Sequence, residues 1–379
     1  MQLSVIILNY NVRYFLELCV LSTQKAIQNL DAEIIVIDNN SSDDSCAMMK
    51  QRFPNIKLIE NPANLGFPKG NNIAVAHAKG EYICILNPDT VVAEDTFEKI
   101  ASFLAMTENV GIVGCKLIDG TANFLPESKR GIPTPWVAFT KIFGLYKLFP
   151  NSSLFNKYYA QHLDENQTGK VDILVGAFML MKRELYNEIG GFDENCFMYS
   201  DDIDLSYMAL QKGKSNYYFH ETTVIHYKGE STIRDQKYMK HFQEAMQFFY
   251  KKHFRKSVVF DWVMQIGSFI FSRIKKNQQN NRIFYPEQTV IFTKEPVTFQ
   301  YPSAMLTYSK FDALKINPSI NYEIVFDTRS FSFKEIINFM NAAKAKNITF
   351  KMYLPQSNFI IGSNNANDRG IITKLSKIA

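Results

Sequence analysis

Residues 81–90 read EYICILNPDT, an apolar run that ends in an asparagine and an aspartate. Three similar runs precede it, at residues 3–8 (LSVIIL), 33–38 (EIIVID) and 56–60 (IKLIE). Short, continuous apolar runs are typical of parallel strands that are buried on both faces. The sequence therefore predicts that these four segments form the centre of one sheet.

Helical spacing of apolar residues fills the gaps between the predicted strands. The helical segments are residues 13–30, 43–53 and 70–79. Strands that alternate with helices favour a mostly parallel sheet with helices on both faces. The expected fold class is therefore α/β.

The middle of the chain is less regular. Residues 120–165 contain several prolines and predict an acceptor-side insertion or a lid, whereas residues 171–182 predict a strand pair around Gly176. Helices are expected at residues 202–212 and 236–254. Residues 1–254 are accordingly interpreted as one domain.

A second, small α/β domain is predicted at residues 283–379. Its evidence is a βαβ-like unit with a strand at 322–327, a helix at 333–345 and a strand at 348–353. Residues 255–282 connect the two domains and end in the polar linker 277–282.

Residues 255–276 (RKSVVFDWVMQIGSFIFSRIKK) place basic residues on both sides of an apolar stretch. The apolar part is too short and too interrupted to cross a bilayer. Two interpretations stay open: an amphipathic helix in the membrane interface, or a helix packed on the first domain.

The composition limits the classes of partner and of compartment. A net charge of +5 on 379 residues is too small to indicate nucleic-acid binding. Five cysteines without a CxxC spacing indicate neither a disulfide framework nor a zinc site. The N-terminus has no signal-peptide pattern. We therefore expect a cytoplasmic protein, with a peripheral position on the cytoplasmic face of the inner membrane as the alternative.

Polar residues follow the predicted strands, at the edge where open parallel sheets bind ligands. Asp38, in DNNSSD (38–43), can accept hydrogen bonds from a nucleobase or ribose, although helix capping explains the serines after it. In NLGFPKGNN (64–72), two glycines bracket Lys69 before a helix, so that backbone amides and a cation can approach an anionic ligand.

The later acids indicate metal and proton chemistry. Asp89, directly after the strand at 81–86, can bind a hard divalent cation that bridges a diphosphate. Asp201 and Asp202 precede a helix, and one positioned carboxylate there can act as a general base. His226 can complete a metal site. Each residue also has a plainer interpretation: a turn for Asp89, an N-cap for one aspartate, a structural role for a lone histidine.

Taken together, these motifs resemble family 2 glycosyltransferases of the GT-A fold, and within them the rhamnosyltransferase-like branch of bacterial surface-polysaccharide synthesis. The resemblance covers about residues 1–250. The matching segments, in the order of the family, are VIILNYN (5–11), VIDNNSSD (36–43), NLGFPKGNN (64–72), ILNPDT (85–90), VGAFMLMKR (175–183), IGGFDENCFMYSDDIDL (189–205) and HYKGEST (226–232).

The resemblance implies a GT-A fold, a Rossmann-like mixed sheet flanked by helices, and a role for each matching residue. The implied contacts of the nucleotide-sugar donor are Asn9, Asp38, Asn40, Lys69, Asn72, Asn87 and Asp89. Asp89 and His226 would hold Mg²⁺ or Mn²⁺, Asp202 would be the catalytic base, and Asp201 is its acidic neighbour. Gly176 and Ala177 would line the acceptor side. Asn87 departs from the usual DxD motif, which has aspartate there.

The implied activity is inverting, metal-assisted transfer of a sugar, with rhamnose a candidate, from a dTDP- or UDP-sugar to an oligosaccharide or lipid-linked acceptor. Two alternatives stay open. One is a non-catalytic GT-A-like module recruited to a membrane polysaccharide-assembly complex. The other is a nucleotidyltransferase or Rossmann oxidoreductase. The lack of GxGxxG after the first strand disfavours the oxidoreductase, and residues 9–13 (NYNVR) are not the Gly-rich, basic loop that a nucleotidyltransferase would place there.

Overall fold

The architecture was determined as a computed structural model. The residues that it describes are 1–142, 144–149, 152, 154–197, 199–228, 236–254, 284–299, 301, 304–364 and 370–376.

The first part of the chain forms a mixed sheet. Within the described residues its strands are β1 (Leu3–Asn9), β2 (Ala32–Asp38), β3 (Lys57–Glu60), β4 (Tyr82–Leu86), β5 (Thr90–Val91), β6 (Val110–Ile118), β7 (Gly169–Val171), β8 (Phe178–Lys182) and β9 (Ser215–His226). The order across the sheet is β3-β2-β1-β4-β8-β6-β9-β5, and β7 pairs with β9.

Helices cover this sheet. In the described part of the chain they are α1 (Arg13–Ala26), α2 (Ser45–Arg52), α3 (Phe67–Ala76), α4 (Thr96–Met106), α5 (Pro135–Ile142), α6 (Leu145–Leu148), α7 (Arg183–Glu188), α8 (Asp201–Gln211) and α9 (Gln236–His253). Two apolar clusters, one built around Val5 and Ile7 and the other around Ile6 and Leu8, lie against the sheet. Alternate residues of β1 thus face opposite layers, as expected for a strand covered on both sides.

The half of the sheet from β3 to β4 is parallel, and its carboxyl ends lie together. Asn9 at the end of β1 is the register partner of Asp38 at the end of β2. Strand β4 also pairs with β1 in parallel, so the chain after Leu86 leaves the sheet at the same edge. The α/β class and the mixed sheet expected from the sequence are confirmed.

The other half of the sheet contains antiparallel pairs that bring later residues to the same edge. Strand β8 runs antiparallel to β4, with Phe178 opposite Leu86, so that its first residue lies beside the last residue of β4. Strand β5 pairs with the end of β9, with Thr90 opposite His226. Residues near 90, 178 and 226 therefore lie along the edge where β1 and β2 end.

Two predictions of local structure are corrected. Helix α3 begins at Phe67 and not at residue 70, because Gly66 takes a φ of +80° at the N-cap and Pro68 fits the first turn. Residues 171–182 do not form a strand pair, since β7 joins β9 while β8 joins β4 and β6. Residues 255–276, the predicted amphipathic segment, lie outside the described residues.

A second sheet follows, with its described strands in the order β11-β10-β12-β13-β14-β15. These strands are β10 (Gln288–Phe292), β11 (Met305–Tyr308), β12 (Tyr322–Asp327), β13 (Ile348–Leu354), β14 (Phe359–Ser363) and β15 (Ile371–Lys374), and α10 (Phe333–Ala343) connects β12 to β13. The first four strands of this order are parallel to one another, whereas β14 pairs antiparallel with both β13 and β15. The expected βαβ unit is therefore present.

The two sheets share one apolar cluster. Val91, Ile225 and Tyr227 of the first sheet pack in the same cluster as Phe326 and Phe359 of the second. Polar contacts surround this cluster: Lys25 donates to the Thr328 carbonyl at 3.0 Å, and Arg52 donates to Gln356 at 2.7 Å. Of the helices that the structure describes, none is long and apolar enough to cross a membrane.

Glu94 from the first sheet region caps helix α10. Its two carboxylate oxygens accept the backbone N–H groups of Phe333 and Lys334, both at 2.8 Å. Ser332 and Glu335 form a capping box at the same terminus. Since the first N–H groups of a helix have no partner within the helix, Glu94 supplies partners from another part of the fold.

We expect Glu94→Ala to lower the free energy of unfolding by about 1 kcal/mol, as loss of a helix cap usually does. Urea unfolding followed by circular dichroism measures this. The matched control is Glu108→Ala, because Glu108 is exposed just before β6. Equal stability of the Glu94 and Glu108 variants would contradict the capping role.

Candidate active site

Asn9 and Asp38 form a buried polar pair at the ends of β1 and β2. The Asn9 amide donates to Asp38 Oδ1 at 2.7 Å and to Ser41 at 3.0 Å. Asp38 also accepts the Ser41 backbone N–H at 2.7 Å and its hydroxyl at 2.6 Å. Asp38 is only 2% exposed, and its hydrogen bonds to Ser41 hold the loop after β2. Asn9 Oδ1 is buried without a partner among the described residues and is the acceptor left over for a ligand.

The loop after β2 presents exposed polar groups beside this pair. Asn40 has a φ of +61° and is exposed, a conformation that asparagine tolerates better than most residues. Across from it, Asn11 has a φ of +57° and accepts the Ser42 N–H at 2.7 Å. The structure therefore places Asn40 at the surface of the predicted donor region.

Helix α3 carries the other predicted donor contacts. Lys69 is exposed in its first turn and has no ion-pair partner within the described part of the chain. Asn72, in contrast, is used inside the protein: its Nδ2 donates to the Phe192 carbonyl at 2.9 Å, and its Oδ1 accepts the Phe192 N–H at 3.1 Å. Asn72 thus attaches α3 to the turn at residues 190–194.

Gly70 serves packing between α3 and the sheet. A Cβ at this position would lie 2.3 Å from a methyl group of Leu8 and 3.1 Å from Asn39 Oδ1. The glycine therefore allows the first turn of α3 to approach the end of β1. Sequence reasoning had explained the same glycine by approach of an anionic ligand.

Asp89 and His226 face each other because β5 pairs with β9. His226 Nε2 lies 3.3 Å from Asp89 Oδ1 and 3.4 Å from Asn87 Nδ2. The Tyr227 N–H donates to the Asp89 carbonyl at 3.0 Å, which extends the strand pairing by one residue. Asp89 is 4% exposed and His226 is 7% exposed. Asn87 and Asp89, which are close in sequence, thus lie beside His226, which is more than a hundred residues away.

The donor set fits a divalent cation. His226 Nε2 lies beside Asp89 Oδ1 and the Asn87 amide, so an imidazole nitrogen and a carboxylate oxygen, both known ligands of divalent cations, are adjacent. His226 Nδ1 is also buried without a partner in the part of the chain that the structure describes. No group of three or more His, Cys, Asp or Glu ligands occurs among the described residues. Mg²⁺ commonly uses one or two protein ligands and completes its shell with phosphate oxygens and water.

Asp202 is held by a buried ion pair at the start of α8. Arg130 Nη2 donates to Asp202 Oδ2 at 2.6 Å and to the Leu174 carbonyl at 2.9 Å. The Gly176 N–H donates to the same Oδ2 at 3.1 Å. One carboxylate oxygen is therefore fixed by two donors, while Oδ1 has no hydrogen-bond partner among the described residues.

Asp201 differs from its neighbour in charge state. Burial, and secondly the negative charge of Asp202, raise the pKa of the Asp201 carboxyl from 3.8 to about 7. Two adjacent carboxylates resist ionising together, and the one without a cation keeps its proton to higher pH. The guanidinium of Arg130 lies 2.6 Å from Asp202 Oδ2, so the cation of this cluster is paired with Asp202.

Gly176 and Ala177 connect the residues around Asp89 to the adjacent acids Asp201 and Asp202. The Asn87 N–H donates to the Ala177 carbonyl at 3.0 Å, while the adjacent Gly176 donates to Asp202. A Cβ at Gly176 would lie 3.4 Å from Asp202 Cβ and 3.8 Å from Asp201 Oδ2. The acids expected to act together therefore meet at one edge of the sheet.

Arg130 was missed by the sequence reasoning, as was the ion pair between Glu127 and Lys228. Arg130 and Glu127 lie in the segment interpreted as a lid, where no motif or period marks them, whereas Lys228 lies in the HYKGEST motif without an assigned role. The only signal in the sequence is that 128–163 contains basic residues and no acidic ones. Asp204, quoted within the acidic motif, pairs with Lys252 at 2.8 Å and ties α8 to α9.

Comparison with known proteins gives the family. Residues 4–190 match the model of Glycosyl transferase family 2. The chain is 25% identical over 213 residues to the N-acetylglucosaminyl-diphospho-decaprenol L-rhamnosyltransferase of Mycobacterium tuberculosis, covering 53% of this chain and 68% of that protein. It is 27% identical over 223 residues to the rhamnosyltransferase WbbL of Escherichia coli, covering 54% of this chain and 78% of WbbL.

Solved structures are similar at a lower level. The mannosyltransferase PcManGT from Pyrobaculum calidifontis, in complex with GDP-Man and Mn²⁺, gives a TM-score of 0.48 at 17% identity over 73% of this chain and 75% of its own. TarS of S. aureus gives a TM-score of 0.46 at 15% identity over 75% of this chain and 46% of its own. From the family match and the transferases among its relatives, we conclude that this chain is an enzyme that belongs to glycosyl transferase family 2.

Proposed function

We propose that this enzyme transfers a hexose, with rhamnose as the candidate, from a dTDP- or UDP-sugar to a lipid-linked glycan by a single displacement that inverts the anomeric centre. The observation that carries the proposal is a pair of hydrogen bonds made by adjacent residues: the Ala177 carbonyl accepts the Asn87 N–H, and the Gly176 N–H donates to Asp202. They bring the candidate diphosphate-binding residues and the candidate base to one edge of the sheet. The mycobacterial relative is named as a rhamnosyltransferase that acts on a diphospho-decaprenol compound, which supports rhamnose as the sugar and a lipid-linked acceptor.

The donor would lie along the edge from β2 to β5. Asn9 Oδ1 and the exposed loop at residues 39–43 would contact the nucleoside, and Lys69 would approach the diphosphate from α3. Asp89 and His226 would hold a divalent cation, which when bound supplies positive charge to the diphosphate leaving group. Asp38 and Asn72 would act by positioning these groups, since their own polar atoms are engaged within the protein.

Asp202 would take the proton from the acceptor hydroxyl. Arg130 and the Gly176 N–H fix Oδ2, so Oδ1 is the atom available for the proton. Asp201, with its pKa raised to about 7, would be only partly ionised near neutral pH and would add less negative charge beside the base than a normal aspartate. The two aspartates thereby divide the roles that their sequence positions leave equivalent.

The second function left open by the sequence, a non-catalytic module, has less support. A binding module has no use for a buried Arg130–Asp202 pair, because burying two charges is costly unless they serve a purpose. We also propose that residues 1–254 form the transferase unit and that residues 283–379 form a separate unit packed against it.

A panel of dTDP-, UDP- and GDP-sugars with Mn²⁺ or Mg²⁺ tests the proposal directly. Release of the nucleoside diphosphate, with and without a polyprenyl-diphosphate-linked sugar, identifies the donor and the acceptor. Anomeric configuration of the product, read by NMR, tests inversion. Retention of configuration would remove the single-displacement mechanism.

Asp202→Asn should leave donor affinity unchanged and lower kcat by about 10² to 10⁴, the usual contribution of a general base. Calorimetric titration of the donor and steady-state kinetics measure the two quantities. Asp312→Asn is the control, because Asp312 is an exposed aspartate on the second sheet region. Equal losses of affinity and of turnover in Asp202→Asn would rule out the base role.

Asp89→Ala should abolish the thermal stabilisation that a nucleoside diphosphate gives in the presence of Mn²⁺, because the cation loses its carboxylate ligand. His226→Ala should weaken the same effect. Glu60→Ala serves as the matched control, since Glu60 ends β3 on the same edge but pairs with Lys50 at the surface. An unchanged Mn²⁺-dependent shift in Asp89→Ala would refute this cation site.

The raised pKa of Asp201 predicts a pH-dependent stability. The pKa of the Asp201 carboxyl is about 3.8 in the unfolded chain and about 7 in the folded chain. The folded state therefore loses stability, relative to the Asp201→Asn variant, as the pH rises through this interval. The midpoint of thermal unfolding of Asp201→Asn, minus that of the parent, should therefore be larger at pH 8 than at pH 4. A difference that does not change with pH would show that Asp201 ionises normally.

A further inference from the structure

The described residues of segment 136–154 (136–142, 144–149, 152 and 154) include an exposed apolar patch, here called the aromatic patch. Its four large exposed side chains are Trp136 (44% exposed), Leu148 (70%), Phe149 (50%) and Leu154 (53%). Eleven large hydrophobic side chains are exposed among the described residues, so more than a third of them lie in this short segment. Clustered apolar exposure marks an interaction surface, whereas single exposed residues are normal.

The patch is held in a defined shape. Trp136 stacks on Phe139 with ring centroids 5.5 Å apart, and its indole N–H donates to the Leu154 carbonyl at 2.9 Å. Phe155 contacts the rings of both Trp136 and Phe149, at 5.9 and 5.2 Å. These contacts fix the backbone of the patch while the outer faces of its side chains meet solvent.

The charged residues in the stretch of sequence that contains the patch have one sign, although the carboxylate of Asp172 accepts the Ile132 N–H at 3.1 Å beside it. From residue 128 to residue 163 the sequence has five basic residues and no Asp or Glu, although the average composition would place about three or four acids there. The basic residues are Lys129, Arg130, Lys141, Lys147 and Lys157. Lys147 and Lys157 are exposed, whereas Lys141 lies 3.6 Å from the Tyr158 ring centre. The exposed apolar side chains and lysines therefore suit a partner that has an apolar interior and negatively charged groups at its surface.

The patch is joined directly to the acidic pair. Arg130, which binds Asp202, is followed by Gly131, whose N–H donates to the carbonyls of Lys157 and Tyr158, both at 3.1 Å. The Tyr250 hydroxyl of α9 donates to the Pro133 carbonyl. The backbone between Arg130 and the patch is thus held by hydrogen bonds at Gly131 and Pro133.

We propose that the aromatic patch docks this enzyme on the surface of an anionic phospholipid bilayer. Tryptophan and phenylalanine enter the boundary between headgroups and acyl chains, and lysines beside them bind anionic headgroups. This docking deepens the proposed function and rests on it for its purpose, because it would present the Asp202 edge to acceptors held in the membrane. It is distinct from any role of residues 255–276.

Vesicle binding by the full-length chain tests the docking without donor or acceptor. Co-sedimentation with phosphatidylcholine vesicles that contain phosphatidylglycerol should capture the enzyme, and vesicles of phosphatidylcholine alone should capture less. Leu148→Ser combined with Leu154→Ser should weaken binding about tenfold, because each leucine loses its apolar contact. Absence of binding by the parent, or equal binding by this variant, would overturn the proposal.

Charge variants separate headgroup attraction from apolar insertion. Lys147→Glu with Lys157→Glu should reduce binding to the phosphatidylglycerol vesicles. Lys344→Glu with Lys346→Glu changes the net charge by the same amount at exposed positions on the second sheet region and should have a smaller effect. Equal losses in the two charge variants would show only general attraction and would overturn the assignment to the patch.

Tryptophan fluorescence identifies which segment enters the membrane, since Trp136 and Trp262 are the two tryptophans of the sequence. Trp262→Phe leaves Trp136, which should shift to shorter wavelength on vesicles and be quenched by brominated lipid. Trp136→Phe leaves Trp262 in the 255–276 segment. A response confined to Trp262 would overturn the proposal in favour of that segment.

Two outcomes separate this inference from the proposed function. Asp89→Ala should bind vesicles like the parent, since docking needs no cation at Asp89. An enzyme that binds anionic vesicles through the patch but turns over no nucleotide sugar would remove the proposed function alone. If the leucine variant kept vesicle binding and donor hydrolysis but lost transfer to a lipid-linked acceptor, the patch would bind the acceptor's lipid, and the bilayer proposal would be wrong.

Discussion

The candidate site depends on the antiparallel pairing of β4 with β8, which places Gly176 and Ala177 beside the end of β4. Through this pairing, the Ala177 carbonyl holds the backbone after Leu86 and the Gly176 N–H holds Asp202. Asp89 and Asp202 are separated by more than a hundred residues, and neither would have a fixed position relative to the other without this junction. A Cβ at Gly176 would make an ordinary van der Waals contact with Asp202 Cβ at 3.4 Å, so it is the backbone N–H of this residue that the junction uses.

Concentrating acids at one edge requires compensation of charge. Each carboxylate has a different solution: Asp38 accepts three hydrogen bonds, Asp89 faces His226, Asp202 pairs with Arg130, and Asp201 keeps its proton to higher pH through a raised pKa. These solutions agree with the proposed roles, because Asp202 has one oxygen fixed by Arg130 and Gly176 and a second oxygen without a partner among the described residues. A buried acid without such compensation would destabilise the fold by its desolvation cost.

The sequence was sufficient for the parallel half of the sheet, because β1, β2 and β4 are continuous apolar runs that end in polar residues. It did not predict β6 and β9. The residues of β9 mix polar and apolar types, and the pairing of β6 with β9 crosses a long stretch of chain. The identity of the acids could be predicted from motifs, whereas the partner of Asp202 could not. Arg130 follows no strand and no repeating pattern, so only the tertiary structure brings it to α8.

The second sheet contributes to the wall that carries Asp89 and His226. Strand β5 has two residues and pairs with β9 at two positions, which is too little hydrogen bonding to hold a strand by itself. Val91, Ile225 and Tyr227 are buried in the cluster that includes residues of β12, α10 and β14. Burial against the second sheet therefore replaces the missing strand pairing. Asp89 and His226 therefore depend on residue 226 itself and on an apolar support from residues after 288, both of which lie beyond the family match at residues 4–190.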